Sequence, residues 1–338
     1  MAGAIVVVEP EGSRGGKPAH APLSVRFGRQ RPLACLEVLG RSVLGQVVEN
    51  LESAGIDPIA LVGNGSLGHD VLDQKQAVAS NPLSLLWQEA TEKLAGLSEQ
   101  KLDAILILAV GAYIEFRPAE ILEFHRQLNE PVVRAYDQQG ELNLWVIDPA
   151  KIPVDIGLMN YLQATKPVPY SLQGYVNRLE GPGDLRRLVV DSLSCRCSFK
   201  PDGVEVKPGI WVGQGSQLER TARLVAPVFI GRGAKLAEQC LVTRASNIES
   251  NSQVDYGTVI EDSSVLSNTY VGIGLDVSHT IADGNNLLNL QRGVVLQISD
   301  PVVLRRLETK GRAEMGRRFL ANFESGEIAA SSAQGIRR

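Results

Sequence analysis

The first residues in the chain that could do chemistry lie where an apolar run meets a glycine-rich loop. Residues 4–8, Ala-Ile-Val-Val-Val, read as a buried strand that leads into Glu9-Pro10-Glu11-Gly12-Ser13-Arg14-Gly15-Gly16-Lys17. Such a loop can turn its backbone N–H groups onto a phosphate, or it can be a solvated turn. The residues alone leave both open. Gly63-Asn64-Gly65 and Val110-Gly111 end two further apolar runs, and the first of these reads as a turn. His20, His69 and His125 lie in the N-terminal half, and His279 lies beyond the last regular repeat. His125 sits beside Phe124 on a helical pattern and reads as structural or exposed. Cys195 and Cys197 are separated by a single residue, a poor spacing for a zinc pair, so the four cysteines read as reduced thiols.

These residues need elements to position them. Residues 42–54 form an amphipathic helical pattern, with Val43, Leu44, Val47, Val48 and Leu51 on one side and Gly55 as its stop. Residues 58–62 read as a second strand, 83–94 as a helix, 104–110 as a third buried strand and 118–128 as a helix. Strands alternating with helices predict parallel pairing in an open α/β sheet. Ligands on such sheets sit at the carboxyl ends of strands, so the loops after Val8, Val62 and Val110 form the expected site.

The C-terminal half carries a repeat. Val206, Val212, Leu218, Leu224, Ile230, Leu236, Val242, Ile248, Val254, Ile260 and Leu266 follow one another in steps of six. That period fits neither a helix nor an alternating strand. It fits a triangular coil in which each unit makes one flat side and points its aliphatic residue inward. The prediction is a left-handed parallel β-helix of hexapeptide repeats over residues 204–275, fraying at Gly272. Residues 276–300 read as its cap. Asp300-Pro301 then reads as the start of a helix with a stripe of Val303, Leu304, Leu307, Met315, Phe319 and Leu320. The expected division is an α/β domain over 1–200, the β-helix over 204–275, and a capping segment, helix and tail over 276–338. Trp211 and Phe229 flank inward positions and are expected to pack on the N-terminal domain or a neighbour. A homo-oligomer is expected.

A net charge of −4 leaves no basic surplus for a nucleic acid. The longest apolar runs are too short for a bilayer, so no membrane partner is expected. The first residues lack the basic region, apolar stretch and cleavage site of a signal peptide, which predicts a soluble cytoplasmic protein.

The order of parts resembles that of the sugar-nucleotide pyrophosphorylases, the sugar-1-phosphate nucleotidyltransferases that make NDP-sugars. In many members a Rossmann-like α/β nucleotidyltransferase domain precedes a left-handed β-helix. Gly12-Ser13-Arg14 stands where the family's glycine loop ends in Gly-Thr-Arg. Glu37-Val38-Leu39-Gly40-Arg41-Ser42-Val43-Leu44 is similar to the family's Pro-Val-Ala-Gly-Arg-Pro-Val-Leu. The segment from Glu52 to Gly63 resembles its joint between helix and second strand. Ile105–Leu108 followed by Ala119-Glu120-Ile121-Leu122-Glu123-Phe124-His125 resembles its third strand and next helix.

The resemblance implies a nucleoside triphosphate or sugar nucleotide held by Gly12, Ser13, Arg14, Arg31, Gly63 and Gly111. It implies catalytic charge on Arg14 and Lys17, and Mg2+ on Asp155, because Val154-Asp155-Ile156-Gly157 looks like the family's Asp-Ile-Gly context. The chain also departs from the family. Glu9-Pro10 replaces paired small residues, adding negative charge and removing an amide donor. Val110-Gly111 replaces a Gly-Asp whose carboxylate holds magnesium, and no carboxylate follows until Glu115.

Three functions therefore stand as expectations. One is an active enzyme, in which a sugar 1-phosphate oxygen attacks the α-phosphate of a nucleoside triphosphate and releases pyrophosphate. The second is an inactive relative that binds sugar nucleotides or a partner enzyme as a regulatory or scaffold subunit. The third is a β-helix acyltransferase, which needs a histidine in or beside the coils.

Overall fold

The computed structural model describes residues 1–8, 35–63, 82–100, 102–153 and 156–308. The first half comprises β1 (Ala2–Val8), β2 (Glu37–Val38), β3 (Arg41–Ser42), α1 (Val43–Ser53), β4 (Ile59–Val62), α2 (Pro82–Ser98) and β5 (Ala104–Val110). It continues through β6 (Tyr113–Ile114), α3 (Pro118–Leu128), β7 (Val132–Asp137), β8 (Gly140–Ile147), α4 (Leu158–Ala164), β9 (Val168–Ser171), β10 (Val176–Asn177) and α5 (Pro182–Leu193). The helix α1 begins where the Ser42 side chain accepts from the Gly45 N–H, an N-cap bond that satisfies one orphan donor.

The main sheet has the order β4-β1-β5-β8-β7-β9. β1 pairs in parallel with β4 and β5, and β7 with β9. The expectation of purely parallel pairing fails at β8, which is antiparallel to both β5 and β7. Only residues 138 and 139 separate β7 from β8. A connection that short closes a hairpin and cannot make a crossover. The central strands β1 and β5 are apolar throughout because both their faces are covered, whereas β7, β8 and β9 toward the far edge carry polar residues such as Arg134, Glu141 and Ser171. Ala4, Val6, Leu106 and Leu108 face a core shared with α1, α3 and α5, whereas Ile5, Val7, Ile105 and Ile107 face α2 and α4.

The second half opens with β11 (Val204–Lys207) and then coils. The turns are β12 (Ile210–Val212), β13 (Gln217–Leu218), β14 (Arg223–Leu224); β15 (Val228–Ile230), β16 (Lys235–Leu236), β17 (Leu241–Thr243); and β18 (Asn247–Ile248), β19 (Gln253–Val254), β20 (Val259–Glu261). A further turn is β21 (Ser264–Val265), β22 (Thr269–Val271), β23 (Asp276–Ser278), followed by β24 (Thr280–Asp283), β25 (Asn286–Asn289), β26 (Val294–Gln297) and β27 (Leu304–Arg306). Each strand from β12 to β21 pairs in parallel with the strand one turn later, giving three sheets around one apolar interior. This winding is compatible with a β-helix. Ile230, Val242, Ile248, Val254 and Ile260 are fully buried along it. Successive turns pack backbone on backbone: a Cβ on Gly231 would stand 2.6 Å from the Ser250 nitrogen.

The repeat departs from the expected register at both ends. Val206 lies on β11, antiparallel to β12, and is exposed; Leu218 is 41% exposed in the first turn, which has no coil above it. Phe229 pairs with Asn247 but Asn247 pairs with Ser264, so the turn after Ile260 is one residue shorter than the one before it. The interior continues through Val265, Val271 and Val277. Leu266, expected inside, packs instead on the α/β domain. The helix expected from Asp300 is also corrected. The Asp300 carboxylate accepts from the Val302 N–H in a turn, and β27 pairs antiparallel with β22, placing Leu304 over the coil interior. Met315, Phe319 and Leu320 lie outside the described residues. Among the described residues no helix is long and apolar enough to cross a membrane.

One outer side of the coil meets the α/β domain. Phe229 is fully buried there and Trp211 partly so, in the same core as Leu39, Leu188 and Phe199. Phe229 is thus occupied within the chain and offers no face to a neighbour. Glu249 is buried at this junction. Its carboxylate accepts from the Leu39 N–H at 2.7 Å, the Gly40 N–H at 2.9 Å and the Asn247 side-chain amide at 2.6 Å.

Candidate functional site

The register of the main sheet assembles the expected edge. Val7 stands beside Val62, and Val8 beside Val110, so the chain leaves β1, β4 and β5 at neighbouring points. Gly63 and Gly111 are the first residues past two of those ends, and both are partly buried. Gly12, Ser13, Arg14, Lys17, Arg31, His20 and His69 lie outside the described residues, as does Asp155. The segment after Asp155 rests on the middle of α2, where the Leu158 N–H donates to the Thr91 hydroxyl at 3.0 Å. That contact lies on the sheet face turned away from the coil.

Just past Gly111 the chain builds a polar cluster that sequence reading missed. Glu115, the first carboxylate after β5, accepts from the Tyr113 hydroxyl at 3.0 Å and from the Ser198 N–H. Gly174 lets the neighbouring strand close over it, since a Cβ there would lie 1.8 Å from the Glu115 carbonyl oxygen. The Tyr175 hydroxyl donates to Asp191 at 2.7 Å, and Arg196 pairs with the other Asp191 oxygen at 3.2 Å. Burial raises the pKa of both tyrosines, so they remain protonated donors. Burial, then the nearby carboxylates, pushes the Cys197 thiol up to about 11, which suits packing and opposes a nucleophilic role. Glu115 is thereby held as a structural acceptor between β6 and the turn after α5.

A second constellation lies on the coil. His279 was expected beyond the last regular coil, but it forms the corner between β23 and β24. Asp262 occupies the matching corner one turn earlier, and both residues have positive φ. The His279 Nδ1 lies 2.6 Å from Asp262 Oδ2. Asp262 Oδ1 accepts from Arg186 at 2.9 Å, and the same guanidinium donates to the carbonyls of Ala245 and Arg244. An ionised Asp262 places the imidazole proton on Nδ1 and leaves Nε2 as a base. Such a pair can accept a proton from a hydroxyl or amine. The spacing of Asp262 and His279 becomes meaningful only when the shortened turn is known.

His125, read from the sequence as structural or exposed, is buried. Burial lowers its pKa and favours the neutral imidazole. It lines a cleft of about 560 Å³ with Ala2, Ile56 and Ala104, at the amino ends of β1 and β5 and opposite the expected edge. Among the described residues no three His, Cys, Asp or Glu side chains converge as metal ligands. No protein-family model matches the chain, and no curated protein matches it at a significant level.

Proposed function

We propose that the chain is a sugar-1-phosphate nucleotidyltransferase-like protein that binds a nucleoside triphosphate or NDP-sugar on its α/β domain and works as a regulatory or scaffold subunit. The coil, taken as a left-handed hexapeptide helix, holds that domain in place. The observation that carries the reading is the convergence of the ends of β1, β4 and β5 on one edge, with Val8 beside Val110 and Val7 beside Val62, so that Gly63 and Gly111 follow strand ends at neighbouring points. This is the position at which open α/β sheets take their ligands. Turnover is disfavoured because Gly111 has no carboxylate for Mg2+ and Glu115 already serves Tyr113 and Ser198.

Calorimetric titration with nucleoside triphosphates and NDP-sugars, with and without Mg2+, tests the reading. Binding that is indifferent to Mg2+, without pyrophosphate release from triphosphate and sugar 1-phosphate, supports it. Tighter binding with Mg2+ and measurable release restores the active enzyme, and loss of that Mg2+ effect in Asp155→Asn would then mark Asp155 as its metal ligand. No binding to any of these ligands ends both readings.

The His279–Asp262 pair favours one second reading, acyl transfer on the coil. There Nε2 would take the proton of an acceptor hydroxyl or amine as that group attacks an acyl thioester and expels its thiol. Thiol release that persists undiminished in His279→Asn rules it out.

A further inference from the structure

We propose that the outer edge of β26 is a self-pairing surface, on which two copies of this chain join as antiparallel strands about a two-fold axis at Leu296. The argument begins with the eight-stranded sheet β11-β12-β15-β18-β21-β24-β25-β26, whose two edges are built differently. β11 carries Glu205 and Lys207, is followed by Pro208, and slips in register against β12 between Glu205 and Lys207. Charge, proline and a bulge are the usual means by which an edge avoids recruiting another strand. β26 has none of them. Its sequence is Val294-Val295-Leu296-Gln297, and its ladder with β25 runs without a slip. Val294 is 46% and Leu296 49% exposed. An uncharged, regular, apolar edge is a template for a further strand.

The ladder also shows which groups face outward. The Ile298 N–H donates to the Asn285 carbonyl at 2.8 Å. Antiparallel alternation then turns the backbones of Val294, Leu296 and Ile298 toward β25, and those of Val295 and Gln297 away from it. A second β26 can exchange both hydrogen bonds between Val295 and Gln297 of the other copy. In that register Leu296 meets its own counterpart on the axis, and Val294 meets Ile298.

The flanking charges choose this register and identify the partner. Arg292 and Asp300 are both exposed and lie just outside the strand, at opposite ends. The pairing places each Arg292 opposite the Asp300 of the other copy, once on each side of the axis. The neighbouring register, with Val295 opposite itself, also satisfies the backbone but sets Arg292 against Ile298. A surface that complements itself in backbone, apolar contact and charge fits a second copy of this chain. The short ladder buries less than the roughly 800 Å² per partner of a typical stable interface, so association belongs in the micromolar range.

Sedimentation of the full chain over a range of concentrations, with hydrogen exchange on the same samples, tests the proposal. The expected result is a reversible dimer in which the amides of Val295 and Gln297 gain protection as the dimer forms. Leu296→Lys sets like charges together on the axis and should weaken association roughly tenfold or more. Arg292→Asp should also weaken it, and Arg292→Asp combined with Asp300→Arg should restore it. Leu296 and Arg292 are exposed, so unchanged melting curves are expected for their single variants, whereas Asp300→Arg also removes the hydrogen bond from the Val302 N–H and should lower the melting temperature slightly without changing the association readout. Should Leu296→Lys fold poorly, the charge swap alone still decides. A monomer at every concentration overturns the proposal, as does a dimer indifferent to both the lysine and the swap. Protection of those two amides in a monomeric sample also overturns it, because the edge is then covered within the chain.

Discussion

Glu249 ties the coil to the α/β domain through two backbone donors. Leu39 and Gly40 both have positive φ, with values of 52° and 80°, and that turn aims their adjacent N–H groups at one carboxylate. Gly40 is needed for a second reason, since a Cβ there would lie 2.9 Å from the Asp202 side chain and 3.1 Å from Phe229. The donors favour the ionised carboxylate, but burial opposes it. Glu37, bonded to the Ser267 hydroxyl, adds a like charge nearby. Burial and then Glu37 push the Glu249 pKa from 4.5 up to about 7. A carboxyl raised in this way binds its proton more tightly when folded. Its contribution to stability is full below about pH 4.5 and is lost as the pH rises through about 7. The whole change is about 3 kcal/mol. Glu249→Gln removes the titration and turns an amide NH2 toward one backbone donor. The variant should therefore be less stable than the parent near about pH 5, with the gap narrowing toward about pH 8. Denaturant unfolding at several pH values measures that gap. A gap that stays constant across the range would sink the assignment.

At the scale of elements, much of the architecture was legible and the exceptions share one cause. The steps of six could be read because Ile230 through Ile260 are all aliphatic and all face the same interior. The shortened turn at Asp262 could not, because Val265 and Leu266 are adjacent, aliphatic and both buried, one in the coil and one against the α/β domain. Hydropathy records burial without recording which core is filled. Asp300-Pro301 is a signal shared by helix starts and turns, and pairing of β27 with β22 decided between them. The strand and helix pattern that implies parallel pairing ends with α3; beyond it residues 138 and 139 allow only a tight reversal, which makes the hairpin of β7 and β8. The expected edge was legible because the ends of three apolar runs marked it. The cluster of Tyr113, Glu115, Tyr175 and Asp191 was not, because its members come from three separate segments that only the folded chain brings together.

On the scale of the whole molecule, core and domain do not coincide. The coil interior, from Ile230 to Val277, is a core of its own. The coil's outer side belongs to another core, in which Phe229, Ala245, Leu266, Ile281 and Leu288 are buried with Leu39, Leu185 and Val189. The α/β domain thus completes its hydrophobic layer with side chains from the coil, whereas the coil interior does not depend on the domain. This asymmetry predicts the order of unfolding. Phe229 is the largest fully buried side chain on the coil's outer face, so Phe229→Ala should remove about 3–5 kcal/mol from the shared core and leave the coil interior intact. Calorimetry of the parent should show one cooperative transition. The variant should show two, with the α/β domain melting first and the coil close to its original temperature. Hydrogen exchange on the variant should find the amides of β1 and β5 opening before those of β18 and β19. If both sets open together and the variant melts in one lowered transition, the coil draws its stability from the α/β domain as well, and the interface is a mutual support instead of a one-sided one.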